Sequence, residues 1–204
     1  MRASTVTIKT EQDIEKLRIS GRLAAQVLEM IGEYIKPGVS TEYLDDICND
    51  YIVNTLQVIP ANVGYHGFTK TTCISVNEEV CHAIPSAKKI LKDGDILNID
   101  VAVIKDGYFG DTSRMYFVGE PTPAAKKLVE TTYEAMLAGI HTVRPGATLG
   151  DIGHAIQSVA QREGYSIVRE YCGHGIGRVY HEQPNILHYG QKGQGMVLKK
   201  GMVF

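Results

Sequence analysis

Two aspartates, Asp100 and Asp111, flank the dipeptide Asp106-Gly107 in a stretch that is otherwise largely apolar. Asp-Gly between two such runs is a two-residue hairpin signal, so residues facing each other across it have numbers summing to 213. Asp111 then faces Ala102, and Asp100 lies two residues along on the same face. The two become diagonal neighbours with Cβ atoms about 7 Å apart. Carboxylates that close repel unless a proton or a cation lies between them. Metal–oxygen bonds of roughly 2.0–2.2 Å from each side chain would bridge the gap. The plainer reading makes each a solvated residue on a strand edge. Asp100 suits that reading less well, because Asn98-Ile99-Asp100-Val101 lies within an apolar run where an unpaired charge is expensive.

A second candidate is Tyr171-Cys172-Gly173-His174-Gly175-Ile176-Gly177-Arg178, with three glycines around one histidine. Glycine permits close backbone approach, which suits an imidazole presented in a tight place; the alternative is a flexible loop whose histidine is idle. A phosphate-binding glycine loop fits poorly, because no strand-to-helix context surrounds these glycines. His181-Glu182-Gln183-Pro184 begins like the zinc-protease motif H-E-x-x-H, but position 185 is Asn and Pro184 breaks a helix, so that reading fails. His66, in Tyr65-His66-Gly67-Phe68, and His82, in Val80-Cys81-His82-Ala83-Ile84-Pro85, stand open between structural hydrogen bonding and ligation.

The elements that must position these residues follow from periodicity. Ile14, Leu17, Leu28, Ile31 and Ile35 fall on one helical stripe that Pro37-Gly38 ends. A second helix begins near Ser40 and carries Leu44, Ile47 and Tyr51. A third runs from about Ala124 to His141 and ends before Pro145-Gly146. Thr148 with Asp151 reads as a cap on a fourth, which carries Ile152, Ile156 and Val159 and stops near Gly164. Strands are expected over 96–104 and 108–118.

The chain also repeats itself. Ile35-Lys36-Pro37-Gly38-Val39-Ser40 returns 108 positions on as Val143-Arg144-Pro145-Gly146-Ala147-Thr148. His66-Gly67 returns at that offset as His174-Gly175, and Leu91-Lys92-Asp93-Gly94 returns at 107 as Leu198-Lys199-Lys200-Gly201. Two similar halves are expected, about 12–118 and 120–204. No Pro-, Gly- or Ser-rich linker separates them, so 1–204 is read as a single α+β domain.

With 204 residues, Lys+Arg 21 against Asp+Glu 23 gives 21 − 23 = −2. That balance offers no positive field for nucleic acid and no basic block for a membrane surface. Met1-Arg2-Ala3-Ser4-Thr5 does not open a secretory signal, and no run approaches the roughly 18 apolar residues of a membrane span. Cys48, Cys73, Cys81 and Cys172 form no C-x-x-C pair, which argues against a thiolate zinc knuckle and fits a reducing, cytoplasmic setting.

Asn98-Ile99-Asp100-Val101, Gly110-Asp111-Thr112-Ser113 and Gly173-His174-Gly175-Ile176-Gly177 are similar to the signature of the type I methionine aminopeptidases. Tyr65-His66-Gly67-Phe68 and Cys73-Ile74-Ser75-Val76-Asn77-Glu78, followed by Val80-Cys81-His82-Ala83-Ile84-Pro85, resemble that family too. The resemblance runs from about residue 10 to Phe204. It implies the pita-bread fold: two pseudo-symmetric halves sharing a curved antiparallel sheet, with helices outside and a dinuclear metal centre. It implies removal of the N-terminal methionine from nascent chains, with Asp100, Asp111 and His174 among the metal ligands. It assigns His82 and His181 to the substrate and its developing oxyanion, and Tyr65, Phe68, Cys73 and Tyr180 to the methionine pocket. His66 is a candidate to support a ligand from behind.

The family's two remaining ligands, both glutamates, follow a segment resembling Lys200-Gly201-Met202-Val203-Phe204. A C-terminally truncated chain is therefore expected, holding one divalent ion or none where the complete enzyme holds two, with little or no activity and a tendency to self-associate. The implied ion is Co, Mn, Fe, Ni or Zn. The implied partners are N-terminal methionyl peptides, at the ribosome, with no DNA and no membrane, and the complete enzyme is expected to be monomeric. Two other readings share the fold. A proline dipeptidase or creatinase relative usually carries an extra N-terminal domain, whereas only about 65 residues precede the Tyr65-His66 motif here. A non-catalytic fragment binding metal or peptide is the other.

Overall fold

The computed structural model describes residues 5–204. Met1 to Ser4, on which most of the non-secretory reading rests, lie outside the described residues. Two compact units divide the chain: Glu15–Ala125, and the described residues up to Ile14 together with Lys126–Phe204.

The Glu15–Ala125 unit is built on one long helix and a sheet. Helix α1 (Glu11–Ile31) buries Leu17, Ser20, Ala24, Val27, Leu28 and Ile31, the spacing of a single apolar face. Helix α2 (Thr41–Asp50) opens on Ser40, whose hydroxyl accepts from the Tyr43 N–H, and it continues into a wider turn over Tyr51–Thr55. Strands β1 (Ile59–Pro60), β2 (Thr72–Val76) and β4 (Tyr108–Phe117) all pair antiparallel with the central strand β3 (Ile96–Lys105). Alternation along β3 sorts its faces. Leu97, Ile99, Val101 and Val103 are fully buried, packed in one core with Ile74 and Val76 of β2 and with Ala24, Val27 and Ile31 of α1. The opposite face carries Asn98, Asp100 and Ala102.

The hairpin has the expected register, Lys105 opposite Tyr108 and Ala102 opposite Asp111. Asp106 and Gly107 both take positive φ, 51° and 78°, as a primed two-residue turn requires. Gly110 is needed for a different reason: a Cβ there would lie 2.2 Å from the carbonyl of Ser20. The backbone of β4 crosses α1 at that point, and the buried Ser20 hydroxyl donates to the Tyr108 carbonyl at 3.1 Å.

In the unit holding Lys126–Phe204, helices α3 (Pro123–His141) and α4 (Leu149–Arg162) lie where the periodicity places them. The Thr148 cap is a full capping box with Asp151. A short ladder joins β5 (Gly173–Gly175) to β6 (Glu182–Ile186). The core here is smaller: Ala147, Ile152, Ile186 and Leu198, with Leu149, Ile156 and Met202 partly buried against it.

One hydrogen-bonded clasp occurs in both units. Gly38 N–H donates to Leu91 O and Leu91 N–H to Val39 O, each at 2.8 Å. Gly146 N–H donates to Leu198 O at 3.0 Å and Leu198 N–H to Ala147 O at 2.7 Å. The bridges beside them, Ser40 to Ile90 and Thr148 to Val197, correspond as well. Gly38 and Gly146 take φ of 90° and 89°, a left-handed conformation that only glycine adopts cheaply.

Candidate active site

Chemistry-bearing side chains gather in two constellations, one in each unit. The first lies on the sheet face turned away from the core. Asp111 sits opposite Ala102 and Cys73 opposite Asp100. Because strand side chains alternate, Cys73, Asp100 and Asp111 share that face. Asp100 and Asp111 are both half-buried, and on the other side of β3 Leu97, Ile99, Val101 and Val103 are fully buried. The Cys73 thiol is pushed up to about 12, first by burial and then by the charges of Asp100 and Asp111.

Two loops border this face. Strand β1 ends beside β3, and Ala61 N–H donates to Ala102 O at 2.9 Å. The chain then turns through Gly64 to Phe68, closed by Gly64 N–H to Phe68 O at 2.8 Å and Phe68 N–H to Tyr65 O at 2.9 Å. Tyr65 and Phe68 are half-buried there. His66 packs edge-on against Tyr65 at 4.4 Å but is exposed and left-handed, with φ 47°. The second loop carries His82, exposed and also left-handed at φ 57°. Its neighbour Ala83 is held to β2 through both its backbone N–H and its C=O. Ile74 N–H donates to Ala83 O at 3.1 Å, and Ala83 N–H donates to the Ser75 hydroxyl at 3.2 Å.

The second constellation is a stack of rings. His174 and His181 lie 4.0 Å apart between centroids, Tyr180 and His181 4.3 Å, and His174 and Tyr180 6.2 Å. His174 is on β5, while Tyr180 and His181 immediately precede β6. The Nδ1 of His174 lies 3.0 Å from the Gly175 carbonyl. A carbonyl only accepts, so Nδ1 carries the proton and the neutral ring keeps its lone pair on Nε2, the form a metal binds.

The three glycines of this segment each answer a close contact. A Cβ at Gly175 would lie 2.3 Å from the Gln183 carbonyl, and one at Gly173 would lie 3.3 Å from the Ile186 Cβ. At Gly177 a Cβ would meet Lys9 Cε at 2.7 Å and Glu182 Oε1 at 3.0 Å. Residues 182–186 are strand, not helix, in agreement with the failed zinc-protease motif.

Sequence reasoning passed over two features. Lys9 reaches Glu182 and forms an ion pair with it; the only sequence signal was a third glycine with no apparent task. Asp45 of α2 accepts from the Thr72 N–H and the Thr72 hydroxyl, both at 2.7 Å, and from the Thr71 N–H at 3.4 Å. Burial pushes its carboxyl above the usual range, opposed by those hydrogen bonds. It fixes the start of β2, one residue from Cys73. Among the described residues, no three His, Cys, Asp or Glu side chains form a group placed to hold a metal ion.

The sequence profile of metallopeptidase family M24 matches residues 15–204. The chain is 57% identical over 199 residues to methionine aminopeptidase of Escherichia coli (strain K12), covering 98% of this chain and 75% of that protein. The crystal structure of methionine aminopeptidase from Rickettsia prowazekii superposes with a TM-score of 0.95 at 53% identity, covering 97% of this chain and 79% of that one. The corresponding structure from Thermotoga maritima gives a TM-score of 0.94 at 40% identity, with the same coverage.

Proposed function

The chain belongs to metallopeptidase family M24, and on that premise we propose how it removes the N-terminal methionine from polypeptide chains. Family membership carries a dependence on divalent metal, and the substrates are N-terminal methionyl peptides. Asp100, Asp111 and His174 supply ligands to one divalent ion. The observation that carries this assignment is the hairpin register: two half-buried carboxylates share one sheet face and call for a cation to offset their repulsion. The His174 tautomer fits the same role.

A divalent ion held by this donor set would supply the Lewis acidity that peptide hydrolysis needs. Mixed carboxylate and imidazole ligation suits Mn, Fe, Co, Ni or Zn, and the complete ligand set of the family holds two such ions. His82 and His181 hydrogen-bond the substrate carbonyl as it acquires negative charge, a preorganised contribution of roughly 3–4 kcal/mol per donor in other enzymes. Tyr65, Phe68, Cys73 and Tyr180 offer aromatic and sulfur surfaces to the methionine thioether, and His66 supports the site from behind Tyr65. Residues 1–204 belong to one metallopeptidase domain in this reading, acting in the cytoplasm on chains emerging from the ribosome, and the complete enzyme is a monomer.

Titration calorimetry with Mn²⁺ or Co²⁺ tests the ligand set. Asp100→Asn and Asp111→Asn should each weaken the ion by at least about 100-fold, beyond the usual effect of losing a supporting group. Any release of methionine from a Met-Ala-Ser peptide should fall in parallel. An unchanged isotherm in both variants overturns the assignment.

A further inference from the structure

Lys9 lies far from the histidines in sequence, yet it is 8% exposed and its ammonium ends on the carboxylate of Glu182. Its backbone is pinned as well, the N–H donating to Gly201 O at 2.7 Å. Gly177 closes on the same pair so tightly that a methyl group there would strike both side chains. Three separate segments, around residues 9, 177 and 182, therefore meet at one buried ion pair.

Glu182 is the residue directly after His181 and the partner of Gly175 in the β5–β6 ladder, at the point where the register shifts. We infer that the Lys9–Glu182 pair is a positioning device: it fixes the backbone at 181–182 and so sets the 4.0 Å stacking of His181 on His174. Removing one partner leaves a largely buried charge uncompensated. The freed side chain turns toward water and takes the adjoining backbone with it. A misplacement of about 1 Å at a catalytic contact costs on the order of 100-fold in rate. The inference rests on the role proposed for His181 in peptide hydrolysis, but its structural half does not.

Two readouts on the whole chain test it. With ¹⁵N-labelled histidine, Lys9→Met and Glu182→Gln should each shift the ring resonances of His174 and His181 and leave those of His141 and His154 in place. In methionyl-peptide turnover, assayed well below the melting temperature, kcat should fall about 10- to 100-fold with KM changed less than about twofold. The double variant Lys9→Met/Glu182→Gln, which buries no lone charge, should recover part of both effects. Should Lys9→Met not fold, Glu182→Asp keeps the charge, draws the carboxylate back by one methylene and is read in the same way. Unmoved His174 and His181 resonances overturn the inference, as does a kcat equal to the parent's. If the parent chain itself releases too little methionine to assay, as expected where two glutamate ligands are missing, the resonances alone decide the positioning.

Discussion

Cys73 sits opposite Asp100 across the β2–β3 ladder, and burial together with that carboxylate moves its pKa from 9.0 to about 12. Tyr116 moves the same way, from 10.0 to about 12, chiefly through burial. Both groups are held neutral more firmly in the folded chain than in the unfolded one. A raised folded-state pKa gives stability that is complete below the unfolded pKa and lost as pH climbs through the folded value. Denaturant midpoints should therefore hold up to about pH 9 and decline toward pH 12, and Cys73→Ala should make that decline shallower. Cys73 should also resist alkylation by iodoacetamide at pH 8, because so little thiolate is present; peptide mass mapping reads this directly. The placement of Asp111 opposite Ala102 was legible because a two-residue turn leaves no freedom in register. The ring stack was not: β5 has three residues, and nothing local in Gly173-His174-Gly175 names Tyr180 and His181 as its neighbours. The Lys9–Glu182 pair was invisible for the same reason, since 173 residues separate its members.

Helix boundaries were the clearest feature at the level of elements, because caps are chemical as well as periodic. Ser40 and Thr148 each accept from the N–H three residues on. Ala at either position should lower stability by about 1 kcal/mol. The contact between β4 and α1 is less forgiving. Gly110→Ala places a methyl group against the backbone of Ser20, and neither strand nor helix can shift without disturbing the core beneath. A loss of about 3 kcal/mol is expected from such overpacking, measured as a fall in denaturant midpoint with an unchanged slope. Asp45→Ala belongs to the same class. It strips the partners from the Thr72 amide and hydroxyl, both buried, and should cost about 1–3 kcal/mol. What periodicity could not give was this tie between α2 and β2, which depends on tertiary contact.

At the level of the whole molecule, the two units differ in how much they bury. Strands β2 and β3 contribute six fully enclosed aliphatic side chains to the Glu15–Ala125 core, Ile74, Val76, Leu97, Ile99, Val101 and Val103. Among its described residues, the unit holding Lys126–Phe204 encloses only Ala147, Ile152, Ile186 and Leu198 in its cluster. Protection against amide exchange scales with such burial. Native-state hydrogen exchange should find β3 opening only with global unfolding and β5–β6 opening earlier. Equal protection in the two would contradict that ranking. No helix among the described residues is long and apolar enough to cross a membrane.

The paired clasps, Gly38–Leu91 and Gly146–Leu198, share their hydrogen bonds and glycine angles at a nearly constant offset while the residues around them differ. Tandem duplication of a coding segment leaves this kind of trace. His66 and His174 hold matching places, yet one is an exposed left-handed turn residue and the other a strand residue stacked on a second imidazole. The same clasp thus frames each unit while the reactive groups are divided, with acids on one unit's sheet and imidazoles along the other's ladder.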